Sequence, residues 1–218
     1  MPKTKEQYFQ QVADAGVVAV IRAQSKDQLM DIARALIAGG VPAIEVTMST
    51  PKAIAGIERL ADELGDKAVV GVGTVIDAAT ARDAITAGAQ FVVSPVGTEE
   101  IISTTKRYGK ISIPGAFTPT EILRAWSLGA DVVKVFPSTV LGPGYFKDIL
   151  APLPQIKLTP TGGVDQKNAA DWIKAGAACL GVGSALVTKD AMAKGDWGSI
   201  AKNARAFVDA VRGARGTK

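Results

Sequence analysis

The chain of 218 residues contains no histidine. That absence excludes Ser-His and Cys-His nucleophiles, imidazole bases and histidine-ligated zinc, so proton transfer falls to Glu, Asp, Lys, Tyr or water. Cysteine is almost as scarce. Cys179 stands alone, so no intramolecular disulfide forms, and its apolar surroundings read as those of a buried structural thiol. The opening "MPKTKEQYFQQVADAG" has no long apolar run; it is neither a secretory signal nor a membrane span, and the reading is cytoplasmic with no membrane partner. Runs of like charge are missing too. The net charge of +4 comes from interspersed acids and bases, with no recognisable nucleic-acid reading motif; attracting a small phosphorylated acid is an equally good use of that field.

What is present is an α/β composition, 47% apolar and rich in glycine. Four segments share one grammar: "AGGVPAIEV", "AGAQFVVSP", "LGADVVKVF" and "AGAACLGVG". Their common glycines, Gly39, Gly88, Gly129 and Gly176, read as helix ends in the left-handed conformation, each followed by a short strand. Further apolar runs lie at 17–21, 69–73, 111–115 and 156–163. Helical stretches alternate with these strands at 26–38, 51–64, 77–87, 98–107, 119–128, 144–150 and 167–175. Ser25, Thr50 before Pro51, Asp77, Thr98 and Thr118 before Pro119 stand where caps are needed.

Strands that are apolar throughout have both faces covered and are parallel. Eight of them, each followed by a helix, match a (β/α)8 TIM barrel near its minimum size, a single domain over 1–218. Residues 1–16 read as an N-terminal helix, 190–213 as a C-terminal closing helix and 212–218 as a frayed basic tail. A doubly wound open sheet is disfavoured because "VIRAQSKDQ" follows the first strand in place of a Gly-x-Gly-x-x-Gly turn.

Chemistry in such a barrel sits at the carboxyl ends of the strands. Those ends carry Arg22, Glu45 with Thr47, Thr74, Ser94 with Pro95, Lys134 with Phe136, Thr161 with Gly162 and Gly163, and Gly183 with Ser184. Strand alternation puts Val132, Lys134 and Phe136 on one face, and Ala43, Glu45 and Thr47 on one face of theirs. A lysine there either snorkels to the rim, pairs with an acid, or acts as an amine nucleophile. Burying an ion pair for stability alone is a poor exchange against apolar packing, so Lys, Glu and Arg together favour catalysis, and Schiff-base formation is the chemistry open to them. A free lysine is only about one part in 2,500 neutral at pH 7. Burial and Arg22 would lower its pKa while Glu45 would raise it, and the sequence leaves the balance open.

The glycines of "TPTGGV" and Gly183-Ser184 stand after the seventh and eighth strands, where such barrels hold phosphate with backbone N–H groups. Thr47, Thr74 and Ser94 either orient a carboxylate or bond to local backbone. Phe136 reads as packing against the site, Pro95 and Pro114 as shaping its rim, and Trp126, Trp172 and Trp197 as packing or subunit contacts outside the barrel.

"GGVPAIEVT" around Glu45, "GVGTV" at 71–75, "GADVVKVFPSTVLG" around Lys134 and "TPTGGV" at 159–164 resemble the 2-keto-3-deoxy-6-phosphogluconate (KDPG) and 4-hydroxy-2-oxoglutarate (KHG) aldolases, in order and over nearly the whole chain. The resemblance implies a homotrimeric class I aldolase of carbohydrate metabolism, in the Entner-Doudoroff pathway, with no metal or cofactor and a 2-keto acid as its small-molecule partner. It implies Lys134 as the Schiff-base lysine, Glu45 as general acid/base, Arg22 and Thr74 around the pyruvyl part, Thr161, Gly162, Gly163 and Ser184 on the phosphate side, and Phe136 as an aromatic wall. Thr47, Pro95 and Gly183 complete the candidate substrate-binding set. The chain departs from the family at "EVTMST", where Ser49 replaces a frequent arginine; that puts substrate choice, not lysine chemistry, in question. KHG or the galactonate epimer of KDPG are alternative substrates. A phosphosugar isomerase using Glu45 as base, or a non-catalytic scaffold, are alternatives of other classes.

Overall fold

The computed structural model describes residues 3–216. Helix α1 (Lys5–Ala15) precedes β1 (Val17–Ile21), α2 (Lys26–Ala38), β2 (Ala43–Thr47), α3 (Ala53–Leu64), β3 (Val69–Gly73), α4 (Ala78–Thr86), β4 (Phe91–Val93) and α5 (Glu99–Arg107). Then come β5 (Ile111–Ile113), β6 (Gly115–Ala116), α6 (Pro119–Ser127), β7 (Val133–Val135), a 3-10 turn (Ser138–Val140), α7 (Gly144–Leu150), β8 (Leu158–Pro160), α8 (Ala169–Lys174), β9 (Leu180–Val182), α9 (Lys189–Lys194) and α10 (Trp197–Arg215).

All pairings are parallel, in the orders β5-β4-β3-β2-β1-β9 and β6-β7-β8. Two features close the circle. Pro114 interrupts the fifth strand, so β5 pairs with β4 and β6 pairs with β7, a break consistent with the missing proline N–H. On the other side, bridges Leu158↔Ala177 and Thr161↔Gly181 join β8 to β9. The expected (β/α)8 order is therefore present, with its fifth strand in two pieces.

The helix-to-strand joints follow one mechanism, one residue away from where the sequence pattern placed the first. Gly40, not Gly39, takes the left-handed conformation, with φ 90° against −78°. Its N–H donates to Ile37 O while that of Val41 donates to Leu36 O. The same pair of bonds recurs at Gly88, Gly129 and Gly176, and at Gly109, which the four-segment pattern had not included. Each satisfies two carbonyls that the helix end would leave orphaned and aims the chain back at the barrel.

Caps explain most helix starts. Ser25, Asp77 and Thr118 accept from the N–H three residues on, and Thr118 forms a full capping box with Glu121. Thr50 does not cap. Its N–H donates to Thr47 O in a turn and its side chain is buried, and Lys52, at φ 55°, precedes the helix instead. Thr98 also lacks a capping bond; Glu99 and Glu100 supply favourable charge in that first turn instead. The expected closing helix is two. Gly195 (φ 64°) ends α9, and Asp196 accepts from Ser199 N–H to start α10. Nor is the C-terminal segment frayed from residue 212: α10 runs to Arg215, whose guanidinium donates to the carbonyls of Ala13 (2.7 Å) and Ala178 (2.9 Å). Residues 1, 2, 217 and 218 of the expected terminal segments lie outside the described residues.

Outward-facing strand residues pack with the helices in one large core that includes Val17, Ile21, Ile44, Val46, Val133, Leu180, Trp172 and Phe207. Inward-facing residues form a second, smaller one. Val18, Ala43, Val69, Phe91, Val93, Ile111, Ile113, Val132 and Cys179 fill the lower barrel, and Val12, Tyr8 and Phe9 of α1 pack beneath them as a plug. Cys179 is the buried thiol the sequence suggested, its pKa raised by burial. Trp172 is buried outside the strands and meets Phe146 edge-on at 5.0 Å; Trp126 and Trp197 also pack against the outer core.

Candidate active site

Above the apolar plug, the inward positions turn polar. Glu45 is 3% exposed, Lys134 6% and Thr159 4%. Register explains their convergence: Lys134 on β7 pairs with Thr159 on β8, and Glu45 on β2 pairs with Val20 on β1 and Gly71 on β3. The face that Lys134 shares with Val132 is the inner one, so the lysine is inside the barrel. Among the described residues, no hydrogen bond or ion pair within 4.0 Å joins Lys134 to Glu45; they sense each other, and Arg22, through charge alone.

The balance the sequence left open is decided by burial. Desolvation is the largest influence on both groups: it pushes the Glu45 carboxyl above the usual carboxylate range, against the pull of Lys134 and Arg22. It lowers Lys134, against Glu45 and with the help of the Arg22 cation. Both groups are driven toward their neutral forms, the outcome expected when neither charge has a close partner to offset loss of water. The Lys134 amine also stands 4.9 Å from the centroid of the Phe136 ring, which is 37% exposed at the rim. A cavity of about 270 Å³ is lined in part by Pro95, Gly115, Ala116 and Phe136.

Glycines shape the interior by making room. A Cβ on Gly73 would fall on the Glu45 carboxylate, one on Gly71 on the Phe91 ring, and one on Gly181 on the Thr161 hydroxyl. The first shows why the "VVGVG" strand leaves that inward position bare: the acid lies across it. Gly183 is beside Arg22, whose guanidinium would be 3.8 Å from an added Cβ.

Thr161 is bonded at the end of β8, its N–H donating to Val135 O (3.1 Å). Gly162 and Gly163 follow at φ 93° and 75°, conformations that favour glycine. Ser184 is exposed after β9. Thr74 is exposed at the end of β3 with φ 61°, a left-handed backbone that costs a β-branched residue about 1–3 kcal/mol. Pro95 is half-buried, and Ser94 is buried with its hydroxyl accepting from Val96 N–H (3.1 Å). Ser94 thus follows the local-backbone reading. Among the described residues, no hydrogen bond joins Thr74, Pro95 or Ser184 to Lys134 or Glu45.

Thr47 differs from its neighbours on β2. It is fully buried and donates to Ile21 O (3.1 Å), so the 2.8 Å contact with Ser49 must be donated by Ser49. Its hydroxyl ties the β2 rim to β1. Three residues escaped the sequence reading. Thr159 donates to Cys179 O (2.8 Å) beside the lysine strand, while Ser138 and Thr139 stand between the ends of β7 and β8. Period-two alternation could have found Thr159; nothing local marks the other two.

Residues 9–203 match the family described as "Aldolase: KDPG and KHG aldolase". The chain is 35% identical to the 2-dehydro-3-deoxy-6-phosphogalactonate aldolase of Escherichia coli (strain K12), over 91% of this chain and 95% of that one. It is also 35% identical to the KHG/KDPG aldolase of the same strain, over 91% and 92%. The KDPG aldolase structure from Legionella pneumophila, with pyruvate captured at low pH as a covalent carbinolamine intermediate, superposes with a TM-score of 0.86 at 32% identity, covering 92% of this chain and 98% of that one. With its parallel barrel and a buried amine beside a buried acid, the chain is an aldolase and belongs to the KDPG and KHG aldolase family.

Proposed function

We propose that Lys134 is the Schiff-base nucleophile of a class I aldolase that cleaves KDPG to pyruvate and glyceraldehyde 3-phosphate. The observation that carries this reading is the environment of the amine, whose burial favours the neutral form a nucleophile requires. Nζ adds to the C2 carbonyl to give a carbinolamine. Glu45, whose burial favours its protonated form, donates to the departing hydroxyl; water leaves and an iminium remains. The Glu45 carboxylate then accepts the C4 hydroxyl proton as the C3–C4 electron pair flows into the iminium. Glyceraldehyde 3-phosphate departs, the enamine is protonated at C3, and hydrolysis returns pyruvate and the amine.

Arg22 and Thr74 would hold the carboxylate, orienting the carbonyl before attack. Thr161, Gly162, Gly163, Gly183 and Ser184 would form the phosphate side, with Phe136 and Pro95 as walls. Thr47 serves the rim from beneath by holding Ser49. The expected setting is the cytoplasm, as a homotrimer in the Entner-Doudoroff pathway. Exposed Ile76, Val96, Phe117, Leu123 and Val140 offer apolar surface for assembly. Among the described residues, no helix is long and apolar enough to cross a membrane.

The equal identity to relatives named for different substrates makes the galactonate epimer and KHG the competitors. Pyruvate release from KDPG, its C4 epimer and KHG, with and without EDTA, ranks the three. The proposal expects phosphorylated substrates to be preferred and EDTA to have no effect. Borohydride reduction in the presence of pyruvate should add mass at Lys134, and an active preparation with that lysine unmodified refutes the assignment.

A further inference from the structure

Ser138 lies just past the strand that carries Lys134 and is 1% exposed. Its hydroxyl donates to Val135 O at 2.7 Å and accepts from Thr161 N–H at 3.2 Å. Its own N–H donates to Thr161 O at 2.9 Å. Two of these bonds fasten Ser138 to Thr161 at the start of the two-glycine loop after β8, and the third ties its hydroxyl back to the end of β7. The next residue completes the contact. A Cβ on Gly163 would be 2.9 Å from Thr139 Cα, and one on Gly162 would be 3.2 Å from Thr139 Oγ1. The two glycines are therefore bare partly because residue 139 lies against them, and the loop is shaped by this segment as well as by any ligand.

We propose that Ser138 is a positioning residue that latches the Thr161–Gly163 loop to the lysine strand, so that the substrate's distal anion is held at a set distance from the reacting carbonyl. The inference rests on the phosphate-side reading of that loop and adds the means by which it is registered to the amine. Lys134 itself makes no bond to Ser138, so loss of the latch leaves the nucleophile and its acid in place. The distal end of the substrate then lacks a fixed partner. Binding suffers while the chemistry at C2 does not.

The test compares wild type with Ser138→Ala in three measurements. KM for KDPG should rise by about fivefold to twentyfold, the effect of one or two neutral hydrogen bonds. The rate of borohydride-trapped adduct formation with pyruvate, which has no distal anion, should stay within about twofold, since that chemistry keeps its groups. Hydrogen exchange at the Thr161 amide, which loses one of its two acceptors, should quicken by about tenfold. Unchanged exchange overturns the latch, as does an adduct rate that falls in step with kcat/KM for KDPG. Faster exchange with an unaltered KM for KDPG supports the latch and sinks the phosphate-side reading instead. Should Ser138→Ala fail to fold, Ser138→Cys, similar in shape with a much weaker donor, carries the same comparison.

Discussion

The two ends of the barrel interior are built from the same strands and the same inward face, yet they do opposite work. At the lower end Val18, Ala43, Val69, Phe91, Val132 and Cys179 close an apolar plug against α1. One inward position higher, Glu45 follows Ala43 and Lys134 follows Val132. A step of two residues along a strand thus passes from groups whose burial stabilises the fold to groups whose burial alters their protonation. The shifted protonation of these two groups comes from the same burial that encloses the plug. If so, damage to the two layers should register in different measurements.

The largest effect expected is at the amine. Lys134→Ala should abolish borohydride trapping and pyruvate release while melting no earlier than wild type, because a buried charge-bearing group without a close partner contributes nothing to stability; a lower melting temperature would break the comparison. Glu45→Gln should reduce turnover by about two to four orders of magnitude, the range for loss of a general acid/base, and full activity would move that role elsewhere. In the plug, Phe91→Ala should cost about 3–5 kcal/mol of stability, a fall in melting temperature of about 6–20 °C, with turnover by the remaining folded enzyme little changed.

Gly73→Ala sharpens the boundary between the layers, since its methyl would displace the Glu45 carboxylate. A loss of turnover approaching about 100-fold is expected for such a misplacement, with Schiff-base trapping retained. The smallest effect is a shift of a pH limb. Adduct formation with pyruvate should rise with pH through the Lys134 pKa, below the ordinary lysine value. Glu45→Gln removes a group that raises that pKa, so the limb should move to lower pH; Arg22→Gln removes a cation that lowers it, so the limb should move to higher pH. Shifts of the same sign in both variants would contradict the electrostatic account.

Much of this was legible in the linear chain. Continuous apolar runs separated by glycine-ended helices implied parallel strands with both faces covered, and alternation put Lys134 with Val132 and Glu45 with Ala43 on shared faces, which the fold shows to be the inner ones. Where local signals competed, the reading slipped. Gly39 and Gly40 are adjacent candidates for one left-handed position, and only the bond from Val41 to Leu36 selects Gly40. "KGDWGS" contains a helix stop followed at once by a cap, so the single closing helix expected over 190–213 is two. For Thr47 the sequence left open a carboxylate or a backbone partner, and the hydroxyl's bonds to Ile21 O and Ser49 depend on where β1 and the β2 rim meet.

The sequence by itself determined the alternation of strands and helices, which residues of a strand share a face and the absence of imidazole chemistry, because these follow from composition and from periodicities of the backbone. Tertiary structure alone decided which way the Lys134 and Glu45 protonation equilibria lean, since desolvation depends on neighbours distant in the chain. It also decided that Ser138 and Thr139 meet Gly162 and Gly163, across more than twenty residues of intervening helix and loop. Contacts of that kind leave no period to read; they exist only once β7 and β8 are laid side by side.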